Sequence, residues 1–355
     1  MRPLKDNTFC WFPFSLLALK EWHSERGIIN ASPCCNSIRP ETPDPLGIQD
    51  ILRDNPEKLM PSDIFYGEQM ESIRQAMREG RRHPACNTCW KIEDSGATSS
   101  SYRRQSAPPG RLKVLEENPV LVDNPKLQSI DFAFGENCNL RCRMCSPGLS
   151  NKLRLDYQYF VENNIDTSDI QQFDYKNYWN KHGKRNDPNL SKSGDTEVYN
   201  WKHGSQWQNI LDNIHDLKHI KATGGETLLS KPFIEFLDTA IERDVAKNIY
   251  LEFHTNATKF TNTNIEKLKQ FDGLHLNLSI DSIGKNYEYI RYPMIWSKLD
   301  NTLRNFLEKT RHAPSMCDTW KVENGLADPL LKCVSFNVVL SVLNAHYIPD
   351  LLEYH

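Results

Sequence analysis

The sequence predicts an α/β protein built on parallel strands. From residue 128 onward, short apolar strands alternate with helices. In SIDFAFGE (129–136), Ile130, Phe132 and Phe134 recur with a period of two, which is typical of a strand. In KPFIEFLDTAIERD (231–244), apolar residues recur at helical spacing, and Pro232 fits a first helical turn. Alternation of this kind predicts parallel strands joined by right-handed crossovers, in a sheet or a barrel.

Five strands and their intervening helices follow in order. The strands are predicted at 129–136, 219–226, 249–256, 274–281 and 334–342. Helices are predicted at 231–244, at about 264–271 and 299–311, and from Pro349 onward. Polar residues follow each strand, and the carboxyl ends of parallel strands share one rim. We therefore expect these polar residues to surround a single bound molecule.

Composition excludes several classes of protein. The chain has 355 residues, 39% of them hydrophobic and 25% charged, which indicates a sizeable core and, as a soft prior, two domains. The formal net charge of -3 and the lack of a long basic run give no sign of nucleic acid as an obligatory partner. The longest apolar run, Phe14 to Leu19, is far too short to span a membrane. The N-terminus is a poor signal peptide, so we expect a cytoplasmic protein.

The cysteines point to metal or redox chemistry. Eight of the ten lie in the first 145 residues, and a reducing compartment disfavours disulfides. Cys138, Cys142 and Cys145 stand at C-x3-C-x2-C spacing without a fourth cysteine nearby. A closed zinc site needs four ligands, whereas three thiolates on a four-iron cluster leave one iron open. The alternatives are a zinc site with a distant ligand and inert buried thiols.

The triplet after the first strand, followed by GGE (224–226) after the second, resembles the radical S-adenosylmethionine (SAM) superfamily. The resemblance spans about residues 128–355. It implies that Cys138, Cys142 and Cys145 bind a 4Fe-4S cluster, and that SAM occupies the fourth iron. It also implies a partial barrel of six strand–helix units. This chain ends within the fifth, which predicts either a truncated or split product or completion of the barrel by another segment.

The resemblance also implies a set of SAM contacts. The residues of the GGE motif would contact the SAM amino group through backbone carbonyls, and Ser279 and Asp281 would lie near its ribose or carboxylate. Met144 stands where an aromatic residue is common and would pack on the adenine side. The full set of predicted SAM contacts is Met144, Gly224, Gly225, Glu226, Asn256, Ser279, Asp281 and Arg291.

The activity implied by the resemblance is reductive cleavage of SAM to a 5′-deoxyadenosyl radical, which abstracts hydrogen from a substrate. We expect a peptide or protein substrate and an external electron donor, with no membrane partner. The alternative is an iron–sulfur or zinc-binding protein, for electron transfer or structure, without SAM chemistry.

The N-terminal region resembles the auxiliary-cluster modules called SPASM or twitch. The matching stretches are FCWFPFSLLALKEWHSERGIINASPCC (9–35), LGIQDIL (46–52) and PACNTCW (84–90). The resemblance implies an auxiliary iron–sulfur cluster held by Cys10, Cys34 or Cys35, Cys86 and Cys89, and a structural zinc site is the alternative. The predicted division is a small cysteine-rich irregular or α domain at 1–110, a linker at 111–127, and a core at 128–355 with a polar insertion at about 147–215.

Overall fold

One mostly parallel sheet organises the fold. The computed structural model describes residues 8–23, 27–37, 44–48, 51, 58–97, 101, 122–135, 137–145, 149–165, 205–315 and 329–354. Seven strands form the sheet in the order β2-β1-β3-β4-β5-β6-β7. Their bounds are β1 Leu16–His23, β2 Gly27–Ser32, β3 Ser129–Ala133, β4 His219–Thr223, β5 Tyr250–Thr255, β6 Gly273–Leu278 and β7 Leu331–Phe336. All neighbours pair in parallel except β1 and β2, which are antiparallel. The predicted α/β class is confirmed.

Helices separate the parallel strands of the core as predicted. In the described residues the helices are α1 Phe12–Ser15, α2 Pro61–Tyr66, α3 Glu68–Arg78, α4 Asn87–Asp94, α5 Asn151–Glu162, α6 Ser205–Asp212, α7 Lys231–Glu242, α8 Asn262–Leu268, α9 Gly284–Ile290, α10 Trp296–Thr310 and α11 Ile348–Tyr354. The predicted helices at 231–244, 264–271, 299–311 and from Pro349 correspond to α7, α8, α10 and α11, whereas α5, α6 and α9 were not predicted individually. The predicted insertion at 147–215 contains α5 and α6 at its two ends, and residues 166–204 lie outside the described residues. No helix in the described ranges has the length and apolar character needed to cross a membrane.

The N-terminal region contributes a sixth parallel strand to the core. Leu16 pairs with Ser129, and the ladder continues to Leu19 opposite Phe132. The expectation of an irregular or α domain is therefore wrong for residues 16–23 and 27–32, because β1 and β2 belong to the same sheet as the core. The remaining division stays a prediction, and residues 111–121 of the linker lie outside the described part of the chain.

The two faces of the sheet differ in polarity. One face is apolar and packs against helices, with Phe132 against Trp207 of α6 and Phe233 of α7 against Phe253. On the other face, a row of polar residues lies in register across the strands. We call it the polar face row. It consists of Asp131, Lys221, Glu252 and His275 and, two residues further along the strands, Thr223, His254, Asn277 and Ser335. Asp131 and Glu252 are buried, and the other members of the row are half-buried.

Strand β7 ends earlier than the sequence predicts. The predicted strand ran from 334 to 342, but the ladder ends at Phe336. The backbone N–H of Asn337 still donates to Leu278, whereas that of Val339 donates to the Asp281 carboxylate at 2.8 Å. The chain therefore leaves the sheet here, and Val342 is 90% exposed.

Truncating Leu17 in β1 tests whether this strand is part of the core. Leu17 is fully buried, so Leu17→Ala is expected to lower the free energy of unfolding by about 2–5 kcal/mol through lost burial and the cavity left behind. Leu352→Ala, at a side chain that is 71% exposed, is the control and should change it by less than about 0.5 kcal/mol. Urea denaturation measures both. Equal stability of the two variants would contradict the placement of β1.

Candidate active site

The three cysteines of the triplet lie together in the loop that follows β3. Cys138 and Cys142 are each 8% exposed, and Cys145 is half-buried. With Leu140 they form a small cluster, against which Met144 and Met294 pack. Apolar side chains thus surround the loop, and such surroundings limit the access of water to a metal site.

Backbone hydrogen bonds hold this loop on the segment that follows α9. The N–H of Arg141 donates to the carbonyl of Tyr292 at 2.7 Å, and that of Arg143 donates to Ile290 at 2.8 Å. At the start of the loop, the N–H of Cys138 donates to Oδ1 of Asn151 at 3.0 Å. The cysteine positions are therefore fixed by backbone contacts on two sides.

Two side-chain donors point at the cysteine sulfurs. Arg291 Nη1 lies 3.6 Å from Cys142 Sγ, and Asn256 Nδ2 lies 3.9 Å from Cys138 Sγ. The guanidinium is also paired with Asp281, whose Oδ2 lies 2.6 Å from Nε. Cys142, Arg291 and Asp281 therefore form one buried polar chain.

Burial keeps the thiols protonated when no metal is bound. It raises the pKa of Cys142 to about 12, although the Arg291 cation acts to lower it. Burial raises the pKa of Cys138 as well, while the N–H of Leu140 acts in the opposite direction. Metal ligands are thiolates, so metal binding at this loop would release these protons.

The glycines of the GGE motif allow β3 and β4 to approach closely where they end. The N–H of Gly225 donates to Gly135 at 2.8 Å, and that of Glu226 donates to Asn137 at 2.7 Å. Gly224 has φ +111°, and a Cβ placed on it would lie 2.5 Å from the carbonyl oxygen of Gly135. Only glycine fits this position without strain.

The carboxylate of Glu226 connects the GGE turn to the end of β5. Its Oε1 accepts from Thr255 Oγ1 at 2.6 Å, and its Oε2 accepts from the N–H of Asn256 at 2.7 Å. The side chain is 1% exposed, and burial raises the pKa of this carboxyl. The sequence analysis predicted a backbone role for Glu226 and missed this side-chain role, because it depends on β5 pairing with β4.

A hydrogen-bonded triad that sequence did not indicate surrounds Asn256. Its Nδ2 donates to Asn139 Oδ1 at 3.0 Å, and its Oδ1 accepts from Thr258 Oγ1 at 2.6 Å. Asn139 Nδ2 in turn donates to Thr258 Oγ1 at 2.8 Å. Asn139 lies inside the cysteine loop, so the triad links that loop to the residues after β5. Polar residues in a loop carry no pattern that would have identified these partners.

The remaining predicted contacts lie at the same rim. Ser279 is half-buried, and its N–H donates to Thr255 at 2.8 Å. Asp281 is fully buried, with its two oxygens occupied by Arg291 and the N–H of Val339. Six of the predicted SAM contacts thus follow the ends of β4, β5 and β6, while Met144 lies inside the cysteine loop and Arg291 directly follows α9. Their individual contacts with SAM remain predictions.

The donor set at this loop fits an iron–sulfur cluster. It offers three clustered thiols with N–H donors at two of the sulfurs. Tyr287 is fully buried, interacts electrostatically with Arg291 and Cys142, and its hydroxyl has no hydrogen-bond partner among the described residues. No described group of three or more His, Cys, Asp or Glu side chains is arranged to hold a single metal ion. A multi-iron cluster does not need that arrangement, because each thiolate binds its own iron.

The N-terminal cysteines also converge. A cavity is lined by, among others, Cys10, Cys34, Cys86, Cys89 and Asn36. Cys10 is 9% and Cys89 is 6% exposed, and Asn36 Nδ2 lies 3.9 Å from Cys89 Sγ. Burial raises the pKa of Cys34, and Cys35 and Cys10 add to this effect. Cys35 is near this group but does not line the cavity.

The two cysteine groups lie at opposite ends of the parallel strands. Cys10 precedes β1, and Cys34 follows the antiparallel strand β2, so both lie near the amino end of β1. Cys138 follows the carboxyl end of β3, which runs parallel to β1. A strand of five residues is about 17 Å long, so the two groups are separated by at least the height of the sheet.

Adding a methyl group at Gly224 tests the close approach of β3 and β4. Gly224→Ala is expected to destabilise the protein by about 3 kcal/mol or more, because backbone strain adds to the clash with Gly135. Gly284→Ala is the matched control: its φ is +56° and no atom lies within 4 Å of the added Cβ. It should cost only about 1–2 kcal/mol. Thermal and urea unfolding provide the measurement, and equal losses in the two variants would argue against the tight contact.

Comparison with known proteins agrees with this geometry. The family model of the radical SAM superfamily matches residues 132–313, just over half of the chain. A search of curated proteins found no match. The matched range runs from β3 to just past α10 and contains the cysteine loop, the GGE turn and Arg291. This match favours an enzyme over the alternative of a metal-binding protein without SAM chemistry. The chain therefore belongs to the radical SAM superfamily, whose members are enzymes that use a 4Fe-4S cluster and SAM.

Proposed function

We propose that Cys138, Cys142 and Cys145 hold the 4Fe-4S cluster of this enzyme, and that SAM binds across the adjoining strand ends. The single observation that carries the proposal is the convergence of the three thiols beside the GGE turn. The Glu226 carboxylate, held by Thr255 and Asn256, keeps that turn in place beside the cysteine loop.

When bound, the cluster and SAM would supply the radical chemistry, with the electron coming from an external donor, and the protein supplies position and shelter. Met144 and Met294 pack beside the thiols and limit the access of water. In this proposal, the backbone carbonyls of the GGE turn accept hydrogen bonds from the amino group of SAM. Asn256, Ser279, Asp281 and Arg291 complete the polar rim around that position.

A peptide or protein is the substrate that best suits the polar face row. This row presents amide, hydroxyl, imidazole, ammonium and carboxylate groups on one side of the sheet. Lys221 Nζ pairs with Glu252 Oε1 at 2.9 Å, and His254 Nδ1 lies 3.3 Å from Asn337 Nδ2. His254 and Asn277 are half-buried, so polar groups of a bound peptide can form hydrogen bonds with them.

The N-terminal cysteines form the second metal site in this proposal. Cys10, Cys34, Cys86 and Cys89 surround one cavity, which supports an auxiliary iron–sulfur cluster of the SPASM or twitch kind. Because Cys34 lines the cavity and Cys35 does not, Cys34 is the proposed ligand. This cluster would lie at the amino end of the strands, with the polar face row between it and the SAM site.

Replacing Cys142 tests the SAM cluster. Reconstituted wild-type protein is expected to convert SAM to 5′-deoxyadenosine, with dithionite as the reductant. Cys142→Ala should lose the iron and sulfide of one cluster, because the two remaining thiolates cannot hold three of its four irons. Formation of 5′-deoxyadenosine should therefore fall to background. Chromatography of the nucleoside together with metal analysis measures both effects.

A control separates loss of the cluster from general damage. Cys333→Ala removes a half-buried thiol of β7 that lies outside the triplet, and its iron content should equal that of wild type. Wild-type protein that carries a full cluster but releases no 5′-deoxyadenosine would contradict the proposed site.

Replacing Cys89 tests the auxiliary site. Cys89→Ala is expected to lose one cluster's share of iron while the SAM cluster remains, because the two cysteine groups lie at opposite ends of the sheet. Cys35→Ala is the matched control and should retain both clusters. Iron, zinc and sulfide analysis with electron paramagnetic resonance (EPR) provides the measurement. If Cys89→Ala loses zinc instead of iron, the N-terminal site is a structural zinc site and the proposed auxiliary cluster is wrong.

A further inference from the structure

We propose that Arg291 is a positioning residue that sets the reduction potential of the SAM cluster through its hydrogen bond to the Cys142 sulfur. The sequence predicts a contact with SAM for this residue, whereas its contacts in the structure point to the cluster. The inference rests on the proposed binding of the cluster by Cys138, Cys142 and Cys145.

Backbone pairing sets Arg291 opposite Cys142. The amide of Arg141 bonds to Tyr292, and the amide of Arg143 bonds to Ile290. These two hydrogen bonds flank Cys142 on one segment and Arg291 on the other. The register of these two backbone segments therefore places the side chain of Arg291 next to Cys142, the middle cysteine of the triplet.

Asp281 fixes the orientation of the guanidinium. Its Oδ2 accepts from Nε at 2.6 Å and lies 2.5 Å from Nη2, so one carboxylate oxygen contacts two guanidinium nitrogens. Asp281 is itself held by the N–H of Val339 at 2.8 Å and is fully buried. Two of the three guanidinium nitrogens thus face Asp281, and the third, Nη1, faces Cys142 Sγ at 3.6 Å. These contacts engage each of the three nitrogens and use three of the five N–H groups of the guanidinium.

The sign of the effect follows from the charges. Reduction adds one negative charge to a cluster, and a cation beside a ligating sulfur stabilises the reduced form. Arg291 is 8% exposed, and charges interact more strongly where water is excluded. Hydrogen bonds to the sulfurs are among the features that set cluster potentials. Asp281 offsets part of the cationic field, but the positive end of the pair is the end that faces the sulfur.

The test is the midpoint potential of the cluster measured without SAM. Arg291→Gln, in the full reconstituted chain, is expected to shift that potential to a more negative value in an EPR-monitored redox titration. A residue that only contacts SAM would leave the SAM-free potential unchanged and would weaken SAM binding, and that result would overturn the inference.

Arg141→Gln is the matched control. Arg141 lies in the same cysteine loop, but its guanidinium pairs with Asp156 at 2.9 Å. Its replacement removes a cation at a similar place in the sequence without removing a donor to sulfur. The potential of this variant should equal that of wild type, and a shift as large as that of Arg291→Gln would overturn the specific role of Arg291.

A measurement on wild-type protein protects the test against a variant that does not fold. Protein labelled with ¹⁵N-arginine should show a weak ¹⁵N coupling to the reduced cluster in pulsed EPR, and Arg141→Gln should retain it. A loaded wild-type cluster without this coupling overturns the role of Arg291 alone. A wild-type chain that takes up no cluster overturns the proposed site itself, and with it this inference.

Discussion

The parallel register of β3, β4, β5 and β6 is the constraint on which the site depends. Each of these strands ends in residues that have no function by themselves: a cysteine loop, a glycine turn, an asparagine and a serine. Parallel pairing puts all four ends at one rim, where the contacts between Gly225 and Gly135 and between Glu226 and Asn256 join them. A slip of one residue in any pair would turn the apolar face of that strand toward the polar side, so burial of the apolar face fixes the rim as well.

The N-terminal strand β1 determines where the N-terminal cysteines lie relative to the cysteine loop. Because β1 pairs in parallel with β3, the cysteines near its amino end and the cysteines after β3 lie at opposite ends of the strands. The polar face row extends between these two ends and includes the Lys221–Glu252 pair. Under the proposed function, a polar substrate would lie between the SAM site and the auxiliary metal site.

Buried charge near the cysteine loop is compensated by an ion pair or by hydrogen bonds. An isolated buried arginine would be costly, but Asp281 offsets its charge, and a backbone N–H satisfies the second oxygen of that carboxylate. Within the described part of the chain Glu226 forms no ion pair, and its carboxylate accepts hydrogen bonds from Thr255 and two backbone N–H groups. These contacts give the rim a single conformation, which a site that must orient reactive groups requires.

Local pattern in the sequence was sufficient for much of the core. The period of two in the strands, the helical spacing in α7 and the order of alternation predicted the parallel α/β sheet, because those patterns reflect which side chains must be buried. The spacing of Cys138, Cys142 and Cys145 identified the candidate cluster ligands, because three thiols in one short loop are close in space whatever the rest of the fold.

Only the tertiary structure decided the partners that are distant in sequence. The place of β1 in the core sheet, the contact of Glu226 with Asn256 and the contact of Arg291 with Cys142 join segments between 30 and 149 residues apart, and no local pattern encodes them. Strand β7 ended early for the same reason, since Asp281, far away in the chain, takes the N–H of Val339. The amino-acid sequence by itself determined which elements form and which thiols cluster. Long-range pairing determined how those thiols are oriented, and by which donors, because hydrogen bonds between remote segments exist only after the sheet has formed.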